Sequence, residues 1–191
     1  MLTALVIALQ FIGTFIKIGP LPLSLVLVPI VIGACLLGAG SGLFLGFVFG
    51  AVTMIMGVAG IDAFSNMLFV ANPAIFIILC FLKAMMAGWV AGLIYKALGK
   101  AFGGKYKALQ TCLASISAPI VNTGIFVVGM ILFFTKTANE LSSVFPEYVN
   151  AVQIIVLGLA GFNFIGEFIV NLVLSPVIVR VIEVVNKKIK F

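Results

Sequence analysis

Histidine is absent from this chain of 191 residues, and acidic residues number only five. Those two scarcities remove most enzymatic chemistry. Hydrolases and transferases need a nucleophile with a nearby base, metal ligands or paired carboxylates. Here no imidazole is present, and the apolar stretches hold a single acid, Glu167. A nucleotide-binding glycine loop is also missing, so the chain cannot use ATP by itself. The three cysteines, Cys35, Cys80 and Cys112, lie far apart in apolar stretches. Their spacing points to neither a metal site nor a disulfide framework. No cofactor is called for, and the reading is not an enzyme.

Charge of either sign is scarce as well. Charged residues make up 8% of the chain and apolar ones 64%, with a mean hydropathy of +1.38. A soluble protein of this size cannot hide that much apolar surface, because surface-to-volume scaling leaves many residues exposed. The solvent for most of this surface is therefore lipid. The 18 phenylalanines fit lipid-facing and interhelical positions. The net charge of +6 would point to nucleic acid in a soluble protein. Here the basic residues flank apolar segments, which favours a membrane reading and no nucleic-acid partner.

A helix needs about 20 apolar residues to cross the hydrocarbon core. Turn signals divide the chain into six such segments, forming one all-α transmembrane domain over residues 1–191. Helix one runs from about Leu2 to Ile16. Met1 to Gly13 lacks the basic start of a cleaved signal peptide and reads as a retained span. Pro20 and Pro22 prevent its continuation. The second helix covers about Leu23 to Leu37, the third Gly42 to Val58. A polar loop with Asp62, Ser65 and Asn66 follows. Asn72-Pro73 opens the fourth, which reaches about Leu98. A basic turn, Lys100 to Lys107, leads to the fifth, Ala108 to Phe134. The polar loop Thr135 to Glu147 leads to the sixth, Tyr148 to Val185. That last helix exceeds a bilayer and is expected to project, tilt or break near Gly158 and Gly161. Pro29 and Pro119 fall inside helices and favour kinks.

The positive-inside rule sets the orientation. With both termini in the cytoplasm, that side collects Lys96, Lys100, Lys105, Lys107, Arg180, Lys187, Lys188 and Lys190. The outer side keeps Lys17 and Lys136, offset by Asp62, Glu140 and Glu147.

Small residues mark close helix contacts in lipid. Gly42, Gly46 and Gly50 form one stripe, Gly88 and Gly92 with Ala87 and Ala91 a second, and Ala4 with Ala8 a third. Packing within the bundle accounts for all three. Ala4 and Ala8 also lie where an external partner can dock.

Buried charge is expensive, about 2.5–3.5 kcal/mol at the bilayer centre on insertion scales. Lys83 lies about 15 Å from the outer end of its helix, and Glu167 about 20 Å from the cytoplasmic boundary. The two are placed to form an ion pair. Asn163, Glu167 and Asn171 share one helical face at four-residue spacing, and Asn122 reaches the outer half of the fifth helix. Two readings stand. One is a structural network of an ion pair and interhelical amides. The other is a pocket for a small polar solute between the fourth, fifth and sixth helices.

Taken together, the six helices, Ala4-Leu5-Val6-Ile7-Ala8, Pro119-Ile120-Val121-Asn122-Thr123-Gly124, and Asn163-Phe164-Ile165-Gly166-Glu167 with Asn171 and Ser175-Pro176 resemble the substrate-capture (S) components of energy-coupling factor (ECF) vitamin transporters. The likeness covers nearly the whole chain. It implies a subunit of the bacterial cytoplasmic membrane that binds a vitamin from outside and topples to present it inward. A transmembrane coupling subunit and two ATPase subunits would drive release. It gives Ala4 and Ala8 a contact with the coupling subunit, and gives Asn72, Lys83, Asn122, Asn163, Glu167 and Asn171 to the substrate. The outer loops would gate the pocket. Pantothenate is the leading ligand: Lys83 suits its carboxylate and the asparagines its amide and hydroxyls. Glu167 fits a cation such as thiamine better, and the phenylalanines leave riboflavin open. From other classes, a ligand-free assembly protein and a self-contained carrier remain as alternatives.

Overall fold

The computed structural model describes residues 1–15, 17–18, 21–22, 25–103, 105–141, 146–148 and 150–189. Four helices in it are long and apolar enough to cross a membrane: Ala39–Val58, Pro73–Ala101, Lys107–Phe133 and the run Ala151–Val185. We label the helices in chain order: α1 Leu2–Phe15, α2 Leu27–Leu37, α3 Ala39–Val58, α4 Ala63–Ala71, α5 Pro73–Ala101, α6 Lys107–Phe133, α7 Thr135–Glu140, α8 Ala151–Gln153 and α9 Phe162–Ile189. The apolar helices α1 and α2 are shorter, at 14 and 11 residues. At 1.5 Å per residue they are about 21 and 17 Å long, less than the roughly 30 Å hydrocarbon core. Ile16, Pro20, Leu23 and Lys190, named in the sequence reading, lie outside the described residues.

Several expectations need correction. The first turn carries a two-residue hairpin, Lys17–Ile18 (β1) paired antiparallel with Leu21–Pro22 (β2), in a fold that is otherwise helical, as expected. α2 begins at Leu27, four residues later than expected, so Pro29 falls in its first turn. There the missing N–H would have had no partner anyway, and no kink is required. Pro119 does lie inside α6. The overlong last helix changes winding instead of ending. Ile154–Gly161 is π-helical, and α9 continues from it.

The expected polar loop between α3 and α5 contains a helix, α4. Asp62 is its N-cap and accepts a hydrogen bond from the Ser65 backbone N–H at 3.1 Å. The Ser65 hydroxyl donates to the same carboxylate. Phe64 and Leu68, one turn apart, are buried. Asn66 Nδ2 donates to Gly57 O at 2.9 Å and ties α4 to the end of α3. Replacing an N-cap aspartate with alanine costs about 1 kcal/mol, whereas asparagine caps equally well. Asp62→Ala is therefore expected to lower the melting temperature in detergent by several degrees, with Asp62→Asn close to wild type. Equal loss in both variants would show that the cap is not what holds α4. Residues 135–147 are likewise not all loop: α7 occupies Thr135–Glu140, and 142–145 lie outside the described residues.

The glycine stripes meet each other. A Cβ on Gly42 would lie 2.3 Å from the carbonyl oxygen of Gly88, and one on Gly46 would lie 2.3 Å from that of Ala84. No side chain fits at those distances, so α3 and α5 touch backbone to backbone. Dispersion between close surfaces is what joins helices where lipid supplies no hydrophobic drive. α2 sits at the centre, packed against α1, α3, α5, α6 and α9. Val31, Ala34 and Cys35 of α2, Ala91, Ala114, Ala118, Ile178 and Ile182 form the core near the basic turn. At the other end Phe64, Phe76, Phe126, Met130 and Phe134 pack with Ile154 and Leu159 of the π-helical stretch.

A candidate solute-binding cavity

Polar side chains in this bundle gather on one cavity. It holds about 70 Å³ of space open to the centre of a water molecule. A single water needs roughly 10–15 Å³ of such space, so the cavity admits several. Lys83 from α5, Asn122 and Thr123 from α6, and Asn163 and Glu167 from α9 line it. So do groups outside the three expected helices: Gln10 and Thr14 of α1, Thr53 of α3, and Asp62 and Ser65 at the start of α4. The cavity uses the first half of α5 and the second half of α6. It therefore lies toward the end of the bundle opposite the basic turn at Lys100–Lys107.

Glu167 is 1% exposed and accepts two hydrogen bonds through its carboxylate. Asn122 Nδ2 donates to one oxygen at 3.3 Å, and Asn163 Nδ2 to the other at 3.0 Å. One turn on, Asn171 is fully buried and its Nδ2 donates to the Glu167 backbone carbonyl at 2.8 Å. The shared helical face of Asn163, Glu167 and Asn171 is thus a hydrogen-bonded unit. Asn171 itself does not line the cavity, and neither does Asn72. Asn72 caps α5 by accepting from the Ile75 N–H at 3.2 Å.

The ion pair considered between Lys83 and Glu167 is not formed. Among the described residues, Arg180–Glu183 at 3.5 Å is the one pair closer than 4.0 Å. The Lys83 ammonium lies over the Phe126 ring instead, 5.2 Å from its centroid. Two amides, one on α6 and one on α9, donate to Glu167. Among the described residues Lys83 makes no hydrogen bond.

The wall from α1 and α3 was missed because its polar residues are single and near helix ends. Gln10 Nε2 donates to Thr53 Oγ1 at 3.2 Å, and the Thr14 hydroxyl contacts Met56 Sδ at 3.1 Å. The signal was present, since Gln10 and Thr14 share a helical face with Val6 and Gly13, and all four are buried. Ala4 and Ala8 occupy the other face of α1 and are exposed.

Long apolar helices around a cavity lined by donors and acceptors define the class of multi-pass membrane proteins. A family model described as "ECF transporter, substrate-specific component" matches residues 1–179, and the chain belongs to that family. It is a family of transporter components and not of enzymes. No curated protein matches the chain.

Proposed function

We propose that this chain is the high-affinity vitamin-binding subunit of an ATP-driven ECF uptake transporter in the bacterial cytoplasmic membrane, and that its ligand is pantothenate. The observation that carries the reading is Lys83: an ammonium on the cavity wall with no carboxylate within 4.0 Å among the described residues. A ligand carboxylate completes it, and amides and hydroxyls around it match the rest of that molecule. In this reading six helices span the membrane with both termini inside. The short α2 needs no match to bilayer thickness because other helices surround it. The basic turn then faces the cytoplasm, and the cavity lies in the outer half, where a solute is captured. The exposed small residues Ala4 and Ala8 receive the coupling subunit, and two ATPases supply the energy this chain cannot.

A second reading has its own support. Asp62 and Glu167 both line the cavity, against the single cation Lys83. Two carboxylates favour a cationic vitamin such as thiamine. Native mass spectrometry of gently purified protein separates the two, followed by calorimetric titration with pantothenate, thiamine and riboflavin. Retained pantothenate with one-to-one binding is the expected result. Tight thiamine binding would reverse the assignment. Failure of all three to bind would end the vitamin reading.

A further inference from the structure

The cavity wall around Glu167 is short of hydrogen-bond donors. Among the described residues, Asn122 Oδ1, Asn163 Oδ1, Thr123 Oγ1 and Asp62 Oδ1 are four of the six buried side-chain atoms without a hydrogen-bond partner. All four side chains line the cavity. Buried polar atoms in folded proteins almost always find a partner, so four orphans beside one cavity call for an explanation. Their common character is that each can accept.

Glu167 explains why the two amides stand this way. An ionised carboxylate offers acceptors only. Both of its oxygens are engaged, one by Asn122 Nδ2 at 3.3 Å and the other by Asn163 Nδ2 at 3.0 Å. Each asparagine turns its NH₂ group toward Glu167 and its carbonyl away. Asn171 steadies the arrangement from below through the Glu167 backbone carbonyl, at 2.8 Å.

We infer that Glu167 is a positioning residue for ligand selection: it orients Asn122 and Asn163 so that this wall presents acceptors and takes the ligand by its hydroxyl or N–H donors. This rests on the reading of the cavity as the vitamin site. It adds a division of labour to that reading. Lys83 takes an acidic group of the ligand, while the Glu167 cluster takes a donor group some distance from it. Glu167 then needs no direct contact with the ligand, and its charge no longer argues against an anion.

Glu167→Gln tests this with almost no change of shape. Glutamine has one acceptor oxygen and one NH₂ group. One asparagine can still donate to it, and the other must reverse, so the wall loses an acceptor and gains a donor. Two readouts follow. In NMR spectra of protein labelled with ¹⁵N at asparagine side chains, wild type should show both the Asn122 and Asn163 NH₂ groups protected from hydrogen exchange. The variant should keep one and change the other. Fast exchange of either group in wild type overturns the proposal without any variant. So do unchanged spectra in Glu167→Gln.

The second readout is a ratio of affinities, for pantothenate against its analogue lacking the secondary hydroxyl. An unmade buried hydrogen bond corresponds to about 5- to 100-fold in affinity. Wild type should prefer pantothenate by that order, and the variant should lose most of the preference. If Glu167 only holds the helices together, both ligands weaken equally and the ratio stays, which overturns the selecting role. A wild-type protein that binds no vitamin defeats the reading of the cavity, while the amide signals still decide the orientation by Glu167.

Discussion

Lys83→Ala is expected to weaken pantothenate binding by about 10- to 100-fold, the worth of a charge-assisted hydrogen bond of roughly 1.5–3 kcal/mol. The protein should still fold. Lys83 makes no ion pair within 4.0 Å among the described residues, so its removal breaks no direct ion pair. What is lost inside the protein is the contact with the Phe126 ring, 5.2 Å from the ammonium. Such a contact is worth about 0.5–1 kcal/mol when solvated and up to about 2 when not. Lys83→Arg keeps the charge and should retain part of the affinity. Isothermal titration with a melting curve for each variant separates binding from stability. Unchanged affinity in Lys83→Ala would remove Lys83 from the site. A gain in affinity for thiamine, with Asp62 and Glu167 freed from a competing cation, would point to the second reading instead.

That expectation depends on a detail the sequence does not contain. Hydropathy and turn residues give the long helices, because crossing lipid demands long apolar runs closed on their own hydrogen bonds. The glycine stripes give the α3–α5 seam, since only small residues allow such an approach. Four-residue spacing places Asn163, Glu167 and Asn171 on one face, and they are indeed hydrogen-bonded to one another. Spacing along one helix cannot say which way neighbouring helices are rotated. That rotation decides whether Glu167 meets Lys83 or Asn122, and here it meets Asn122. Asp62 was legible as a helix cap followed by Ser65 three residues on, but the polarity of the segment concealed α4. The walls from α1 and α3 rest on single polar residues, Gln10, Thr14 and Thr53, which become informative only when the helices bring them to one cavity.

Uptake should respond most strongly at a place that never touches the ligand. Ala4 and Ala8 are exposed on α1, on the face turned away from buried Val6, Gln10 and Thr14. A small-residue pair one turn apart leaves a flat strip on which another helix can approach closely. Tryptophan there forces the partner outward, and overpacking of this kind costs about 1–3 kcal/mol for each site. Ala8→Trp, alone or with Ala4→Trp, is expected to cut vitamin uptake by about tenfold or more. Because the new side chain points away from the cavity, affinity in the purified subunit should stay at the wild-type level. Uptake of labelled vitamin by cells carrying the full transporter, set beside titration of the isolated subunit, measures both. Wild-type uptake in Ala8→Trp would exclude this face of α1 as the docking strip. Loss of binding together with uptake would mean that the substitution had disturbed α1 itself, through the Gln10–Thr53 hydrogen bond that joins it to α3. The expected split of normal capture and failed transport is what a subunit without catalytic residues should give. On the proposed reading its part is to hold the solute, and the energy enters through the surface it offers to the coupling subunit.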